Sequence, residues 1–353
     1  MDYVLMNFTS KLKSISKNST VNILNALKYW QRKCATLKNN GSIILMYHRI
    51  IKKEEVGAYL QSGMYVTPQT FEENLRTIKE ICSIKPLRTL LSYQSYNQKA
   101  SVYNPQPCCC LTFDDGWIDF YHNAFPILKE HNIPATLFVP TAFIGKKKWF
   151  WTDRLSFLLC QVEDYKINEK KAIPINNLVN EILSIDGAIS NRIEKSIERL
   201  KIESIEKIES TIKEISLRFG ISSSPSGMPF VNWEQIEEMK NSGLITIGSH
   251  THKHPILTNC SQNEIEMELT ESKRILLEKK VVDESFIPFC YPNGNYDEQI
   301  LQMVKKAGYH LAVTTEKGWN RIGSNCFKLK RIGIHQDITS TPAMFGCRIA
   351  GIF

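Results

Sequence analysis

Two short clusters carry residue types and spacings suited to metal-assisted hydrolysis. The first is Thr112-Phe113-Asp114-Asp115-Gly116, and the second is Ser249-His250-Thr251-His252-Lys253-His254-Pro255. His250 and His254 are four apart, so one helical turn over this stretch would aim both imidazoles at one point. Two such histidines and one carboxylate form a facial set of ligands for zinc or a similar divalent ion, with positions left for water and substrate. The aspartate doublet supplies that carboxylate and leaves a second one beside it to act as a base. Spacing alone does not say which aspartate does which. Taken singly, Asp-Asp-Gly is most often a turn, and a histidine pair at this interval is most often a solvated surface.

Their joint placement argues for chemistry. Each cluster follows an apolar run that reads as a buried strand, Cys108 to Phe113 and Ile245 to Gly248. Each therefore lies where a strand gives way to its loop, the usual address of active sites in α/β folds. A third run, Phe286 to Tyr291, leads into Pro292-Asn293-Gly294. Between these runs the period changes to that of helices: Pro68 to Ile81, Asp119 to His131, Trp233 to Lys240, Asn263 to Lys280 and Asp297 to Ala307. Strands are read at Ser42 to His48, Thr136 to Pro140 and Leu311 to Thr315. Such β-then-α alternation implies a largely parallel sheet.

The alternation stops between residues 151 and 230. There Ile193, Ile197, Leu200, Ile205, Ile208, Ile212, Ile215 and Phe219 recur at helical spacing amid Glu and Lys, and a Ser/Pro/Gly stretch at 222–227 reads as a return linker. This is a helical insertion that packs beside the cleft, with a lid as the alternative role. The aromatic run Trp149-Phe150-Trp151 reads as core packing rather than a sugar platform.

The chain of 353 residues is 42% hydrophobic, enough for a sizeable core. Of its net charge of +8, residues 1–40 hold +6, as seven basic residues against Asp2. The remainder is too balanced for a nucleic-acid groove. Residues 1–40 form a basic helical segment, with Val21 to Leu37 read as one helix. Its apolar stripe of Leu24, Leu27 and Trp30 either covers the barrel or makes weak contact with an anionic membrane surface near lipid-linked sugars. Ten cysteines occur with no C-x-x-C pair, and Cys108, Cys109 and Cys110 read as small core residues on alternating faces. With no signal peptide legible, free thiols point to the cytoplasm.

The motifs together resemble the polysaccharide deacetylase family, the NodB-homology domain. That family carries Thr-Phe-Asp-Asp-Gly, His-(Ser/Thr)-x-x-His and Pro-(aromatic)-Gly motifs, and the likeness runs from Ser42 to His335, broken by the insertion. It implies an irregular (β/α) barrel over residues 41–353. It also implies a metal-dependent hydrolase that removes N-acetyl groups from the amino sugars of a glycan. The family's order of roles makes Asp115, His250 and His254 the metal ligands and Asp114 the base. Oxyanion and substrate contacts fall to Tyr291, Pro292 and Asn293.

Two departures stand out. Cys290 occupies the slot of the family's arginine before Pro-(aromatic)-Gly, and Asn293 replaces the aromatic; Arg331 is the candidate substitute for the arginine. The late Leu-x-His motif, which donates a general acid, resembles Leu45-Met46-Tyr47-His48 moved to the front, as in a permuted branch. His48 is thus the expected acid, with His335 its rival. Two alternatives remain: an amidohydrolase acting on a small non-sugar amide, and a decayed glycan-binding scaffold.

Overall fold

A computed structural model describes residues 19–37, 41–61, 63–95, 107–165 and 177–352. Seven parallel strands close into a barrel: β1 (Gly41–Tyr47), β2 (Cys108–Phe113), β3 (Ala135–Val139), β4 (Ile245–Ser249), β5 (Pro288–Cys290), β6 (Leu311–Lys317) and β7 (Leu329–Gly333). Strands β2 to β7 pair in chain order, and β1 closes the ring between β7 and β2. The seam is long on one side, with Ser42 to Tyr47 facing Cys108 to Phe113, and short on the other, where Leu45 and Met46 face Ile332 and Gly333. A register shift also interrupts the pairing of β6 with β7. The barrel is therefore irregular, as the resemblance implies.

Period-two alternation along the strands decides what faces inward. Ile44, Cys108, Cys110, Phe138, Cys290, Leu311, Val313 and Leu329 pack as one interior cluster, while Ile43, Leu45, Cys109, Leu111 and Leu137 pack against the surrounding helices. The same alternation carries Thr112 and then Asp114 inward at the end of β2. On β4, Gly248 faces Phe138 so closely that a Cβ there would sit 2.5 Å from the ring. Glycine at this position lets the neighbouring strand fill the interior, and two residues on, His250 points the same way.

Helices cover the outside. Pro68–Lys79 is capped by the Thr67 side chain and has Pro68 in its first turn. Trp233–Asn241 and Gln262–Glu278 each begin with a reciprocal capping box, Asn232 with Gln235 and Ser261 with Glu264. The Asp119 to His131 pattern opens as a wide π turn at Phe120–Ala124 before Phe125–Glu130 continues as α-helix. Pro126 accounts for this, since it has no N–H to give and crowds the preceding turn.

The segment Val21 to Leu37 is two helices rather than one. Residues 19–26 and Tyr29–Leu37 are separated by a turn at Leu27 and Lys28, the latter with φ 52°. Trp30 is buried against Gly346 of the final helix, Pro342–Ile349, while Leu24 is half-buried and Leu27 exposed. The stripe therefore packs on the barrel at Trp30, which is not free to enter a bilayer. The rest of the basic segment, residues 1–18 and 38–40, lies outside the described residues. No helix among the described residues is long and apolar enough to cross a membrane.

Among the described residues, four helices carry the insertion: Trp151–Tyr165, Asn177–Ser184, Ile189–Leu200 and Ile205–Phe219. They bury a core of their own, with Leu155, Leu158, Val162, Val179, Ile182, Ile193, Ile197, Ile208, Ile212 and Ile215 in one cluster. The isoleucine pattern that reads as continuous breaks after Leu200, where Ser204 caps the next helix, and Gly220 closes that helix in a left-handed conformation.

Candidate active site

The ends of β1, β2, β4, β5 and β7 bring the site together. The backbone N–H of Asp114 donates to the carbonyl of Tyr47 at 3.0 Å, which fixes the exit of β2 beside that of β1. His48 thereby faces Asp114, its Nε2 4.0 Å from Oδ2. Arg331, from β7, closes on the same carboxylate with two parallel bonds of 2.7 Å, Nη1 to Oδ1 and Nη2 to Oδ2. Its Nε donates to the Thr314 carbonyl and its Nη1 also reaches Thr112 Oγ1, so every part of the fork is held. Both partners of this pair are buried. Burial alone would push the Asp114 carboxyl up; Arg331, with His250 and His48 behind it, holds it below the usual range.

Asp115 turns away from its neighbour because its backbone is left-handed, φ 76°. Its Oδ1 lies 3.5 Å from His250 Nε2 and 3.3 Å from His254 Nε2, and the two Nε2 atoms are 3.2 Å apart. Trp117 Nε1 donates to the other oxygen of Asp115 at 2.9 Å. Burial works to raise this carboxyl, but the bond to His254 and the charges of the surrounding histidines keep it well below the usual range. Burial, reinforced by His254, brings His250 down to about 4, so its imidazole is neutral near pH 7. His250 Nδ1 lies 2.8 Å from the carbonyl of Cys290, which fixes the tautomer with Nε2 bare.

These three atoms fit a metal ion. Ligands about 2.1 Å from a tetrahedral zinc stand roughly 3.4 Å apart, and the three separations match that spacing with one oxygen and two nitrogens, Nε2 of His250 directed inward by its carbonyl partner.

The histidines do not converge through a helical turn. Residues 250–256 form a loop with left-handed φ at Thr251 (66°) and His254 (60°). That loop is braced from within by Thr251 Oγ1, which accepts from the His254 N–H. It is braced from outside by Glu268, whose Oε2 accepts from the N–H groups of His252 and Lys253 at 2.8 and 2.7 Å. Glu268 is a buried carboxylate on the apolar stripe that includes Ile265 and Leu269. Sequence reasoning missed it, and a charged residue between Ile265 and Leu269 on the buried face is the signal that could have found it. His252 is half-buried rather than solvated, with Nδ1 2.9 Å from Thr141 Oγ1, and stays outside the cluster.

The other candidates divide. His335 packs by Gly63 and pairs with Asp337, while His48 is the histidine that faces the aspartates. Tyr291 does not present its side chain to the cleft. It is fully buried, and its hydroxyl donates to the Phe327 carbonyl while its N–H donates to Val313. Alternation along β5 sends Cys290 inward and therefore Tyr291 outward. Pro292 is buried at the head of the turn, and Asn293 sits at its tip with φ 55°. The turn's bonds run from Gly294 to Tyr291 and from Asn295 to Pro292, and the Asn293 N–H has no part in either.

The insertion touches this rim. Lys201 Nζ donates to Asn293 Oδ1 at 3.0 Å, and the Lys201 carbonyl accepts from Asn259 Nδ2 at the end of the histidine loop. Phe150 packs on His254 with ring centroids 4.7 Å apart, backed by Trp117 and Phe230. Phe150 is thus core packing that also forms one wall of the Asp115, His250 and His254 cluster.

The sequence comparison follows this geometry. A family model described as polysaccharide deacetylase matches residues 101–312, more than half of the chain. This chain belongs to the polysaccharide deacetylase family. Among its relatives is the Bacillus subtilis protein YxkH, 21% identical over 304 residues, which cover 86% of this chain and 72% of that protein. A poly-beta-1,6-N-acetyl-D-glucosamine N-deacetylase of Staphylococcus epidermidis is 29% identical over 151 residues, covering 40% of this chain and 51% of that protein. The match thus spans about half the length of that relative. The fold is shared with the Streptococcus pyogenes deacetylase PplD, solved in complex with acetate, at a TM-score of 0.53 and 21% identity over 86% of this chain and 95% of that one. In this chain Arg331 arrives from β7, and Cys290 lies beside it, its Sγ 3.2 Å from Arg331 Nη2.

Proposed function

We propose that this chain hydrolyses the N-acetyl group of an amino sugar within a glycan, giving acetate and a free amine. The observation that carries the reading is the unlike surroundings of two adjacent aspartates. Asp115 faces two imidazoles, whereas Asp114 is gripped by Arg331 with His48 opposite. A divalent ion on Asp115, His250 and His254 would supply Lewis-acid activation of a water and of the acetamide carbonyl, and the two-nitrogen, one-oxygen donor set suits zinc.

The chain's own groups would do the rest. Asp114 accepts the proton of the attacking water as the new C–O bond forms, and the Arg331 fork keeps its carboxylate ionised and in one orientation. The N–H of Asn293, in the turn headed by Pro292, donates to the oxygen on which negative charge develops. His48, as imidazolium, gives its proton to the nitrogen as the C–N bond breaks, so the sugar leaves as a neutral amine. His48 and His254 are 19% and 23% exposed, so both reach the cleft mouth where a glycan would enter. The relatives named for poly-beta-1,6-N-acetylglucosamine support a polymer of N-acetylated amino sugars as the substrate class.

The two aspartates can be separated by experiment. Asp114→Asn should retain the metal and lose most of its turnover, whereas Asp115→Asn should lose the metal itself. Equal metal loss in both variants would remove the distinction on which the reading stands.

A further inference from the structure

One buried side chain beside the metal cluster has no part in the chemistry above. Trp117 is 1% exposed, and its indole N–H donates to Asp115 Oδ2 at 2.9 Å. The other oxygen of that carboxylate, Oδ1, is the one that faces His250 and His254. We infer that Trp117 is a positioning residue for the metal: its N–H occupies Oδ2 and so presents Oδ1 alone to the ion.

The backbone aims this indole. Asp115 and Gly116 are both left-handed, with φ 76° and 72°, which turns the chain back so that a side chain two residues on reaches the Asp115 carboxylate. Residues 116–118 are then pinned to the segment that returns from the insertion. The Val231 N–H donates to the Gly116 carbonyl at 3.0 Å, and the Ile118 N–H to the Pro229 carbonyl at 2.9 Å. The ring is held as well. Phe230 stacks on it with centroids 4.7 Å apart, and the Arg49 guanidinium lies 4.4 Å from its centroid. Asp119 fixes Arg49 in turn, accepting from its Nε and from the Ile50 N–H, each at 2.8 Å. A cation over an indole is attracted to the ring's electron density and draws on it, which makes the N–H a better donor. A carboxylate oxygen held by such a donor in a buried site keeps both its charge and its orientation.

This role rests on the metal reading of Asp115, His250 and His254. The test titrates metal-free full-length protein, with isotope-labelled indole nitrogens, with zinc chloride and follows the N–H resonances by NMR. The chain has six tryptophans, and the resonance missing from Trp117→Phe identifies the one at issue; Trp117→Tyr serves the same purpose if the Phe variant does not fold. Zinc draws charge from Asp115 and so weakens the N–H bond to it. The Trp117 resonance should therefore move upfield as wild type takes up zinc, and stay still in His254→Ala, which lacks a ligand. In competition with a chelator, Trp117→Phe should bind zinc about 10–100-fold more weakly, the usual cost of losing a group that orients a ligand. Phe230→Leu, which trims the packing on the ring but spares the N–H bond, should unfold at lower denaturant while keeping the wild-type zinc affinity. A Trp117 resonance that ignores zinc uptake, or wild-type affinity in Trp117→Phe, overturns the assignment. Equal loss of affinity in Phe230→Leu also overturns it, reducing Trp117 to packing. Wild type that takes up no zinc at all overturns the metal centre itself, and this role with it.

Discussion

The residue that most depends on its partner is Asp114. A buried carboxylate without a counter-charge is costly, and here one guanidinium satisfies both oxygens while remaining buried itself. Lysine cannot reproduce the two parallel bonds, because its ammonium is a single point of charge. Arg331→Lys should therefore cut turnover strongly while leaving metal content unchanged. Arg331→Met, which leaves Asp114 unpaired, should also cost about 3–5 kcal/mol of stability. Denaturant unfolding and metal analysis of the two variants check this, and a Met variant as stable as wild type would show that the pair is dispensable to the fold. Cys290 illustrates what a motif cannot reveal: it stands at the slot where the resemblance expects an arginine, but only the closed ring, with β1 between β7 and β2, shows that the distant Arg331 reaches the carboxylate.

At the scale of elements, the histidine loop depends on a carboxylate from another helix. Glu268 holds two consecutive N–H groups of residues 252 and 253, and through them the left-handed turn that swings His254 back toward His250. Glu268→Gln keeps the shape but weakens both bonds, and metal affinity should fall by roughly 10–100-fold, as for other partners that orient ligands. Competition titration against a chelator would register this, and an unchanged affinity would make Glu268 a packing residue only.

Six of the seven barrel strands were legible in the sequence because apolar runs of four to seven residues with abrupt polar ends have few other readings; β7 was not read, since Lys330 and Arg331 interrupt its apolar pattern. Asp114, Asp115 and His250 stand at the ends of such runs, so their gathering at one rim was legible for the same reason, whereas His254 lies further along in the loop. The route by which the histidines meet was not legible. Four-residue spacing fits a helical turn, and it fits equally a loop whose left-handed residues are fixed by Thr251 and Glu268. Tyr291 was misplaced because the inward alternation of β5 begins from Cys290, a register that the sequence does not display. The single helix read over residues 21–37 failed at Lys28, where a left-handed residue lets Trp30 reach Gly346.

At the scale of the whole molecule, the barrel buries titratable groups to build its site, and stability should record that. Burial and His254 depress His250 to about 4, against about 6.5 in an unfolded chain. Above pH 6.5 the imidazole is neutral in both states and contributes no difference. Between pH 6.5 and about 4 the unfolded chain takes up a proton that the folded chain does not, so stability is lost as pH falls through that window. At roughly 1.4 kcal/mol per pH unit, metal-free wild type should lose on the order of 3 kcal/mol from this group. His250→Gln should lose correspondingly less when unfolded by denaturant at pH 7.5, 5.5 and 4. Identical pH slopes for the two proteins would contradict a buried neutral histidine.

The account as a whole holds that a metal on Asp115, His250 and His254 and a base at Asp114 remove acetyl groups from a glycan. The most direct test measures acetate released from an oligomer of β-linked N-acetylglucosamine by metal-stripped protein, before and after one equivalent of zinc is returned. The account predicts no release from the stripped protein, release with a matching gain of free amine after reconstitution, and none at any stage from Asp114→Asn. Full release by the stripped protein, or none by reconstituted protein that has demonstrably bound its zinc, would contradict it.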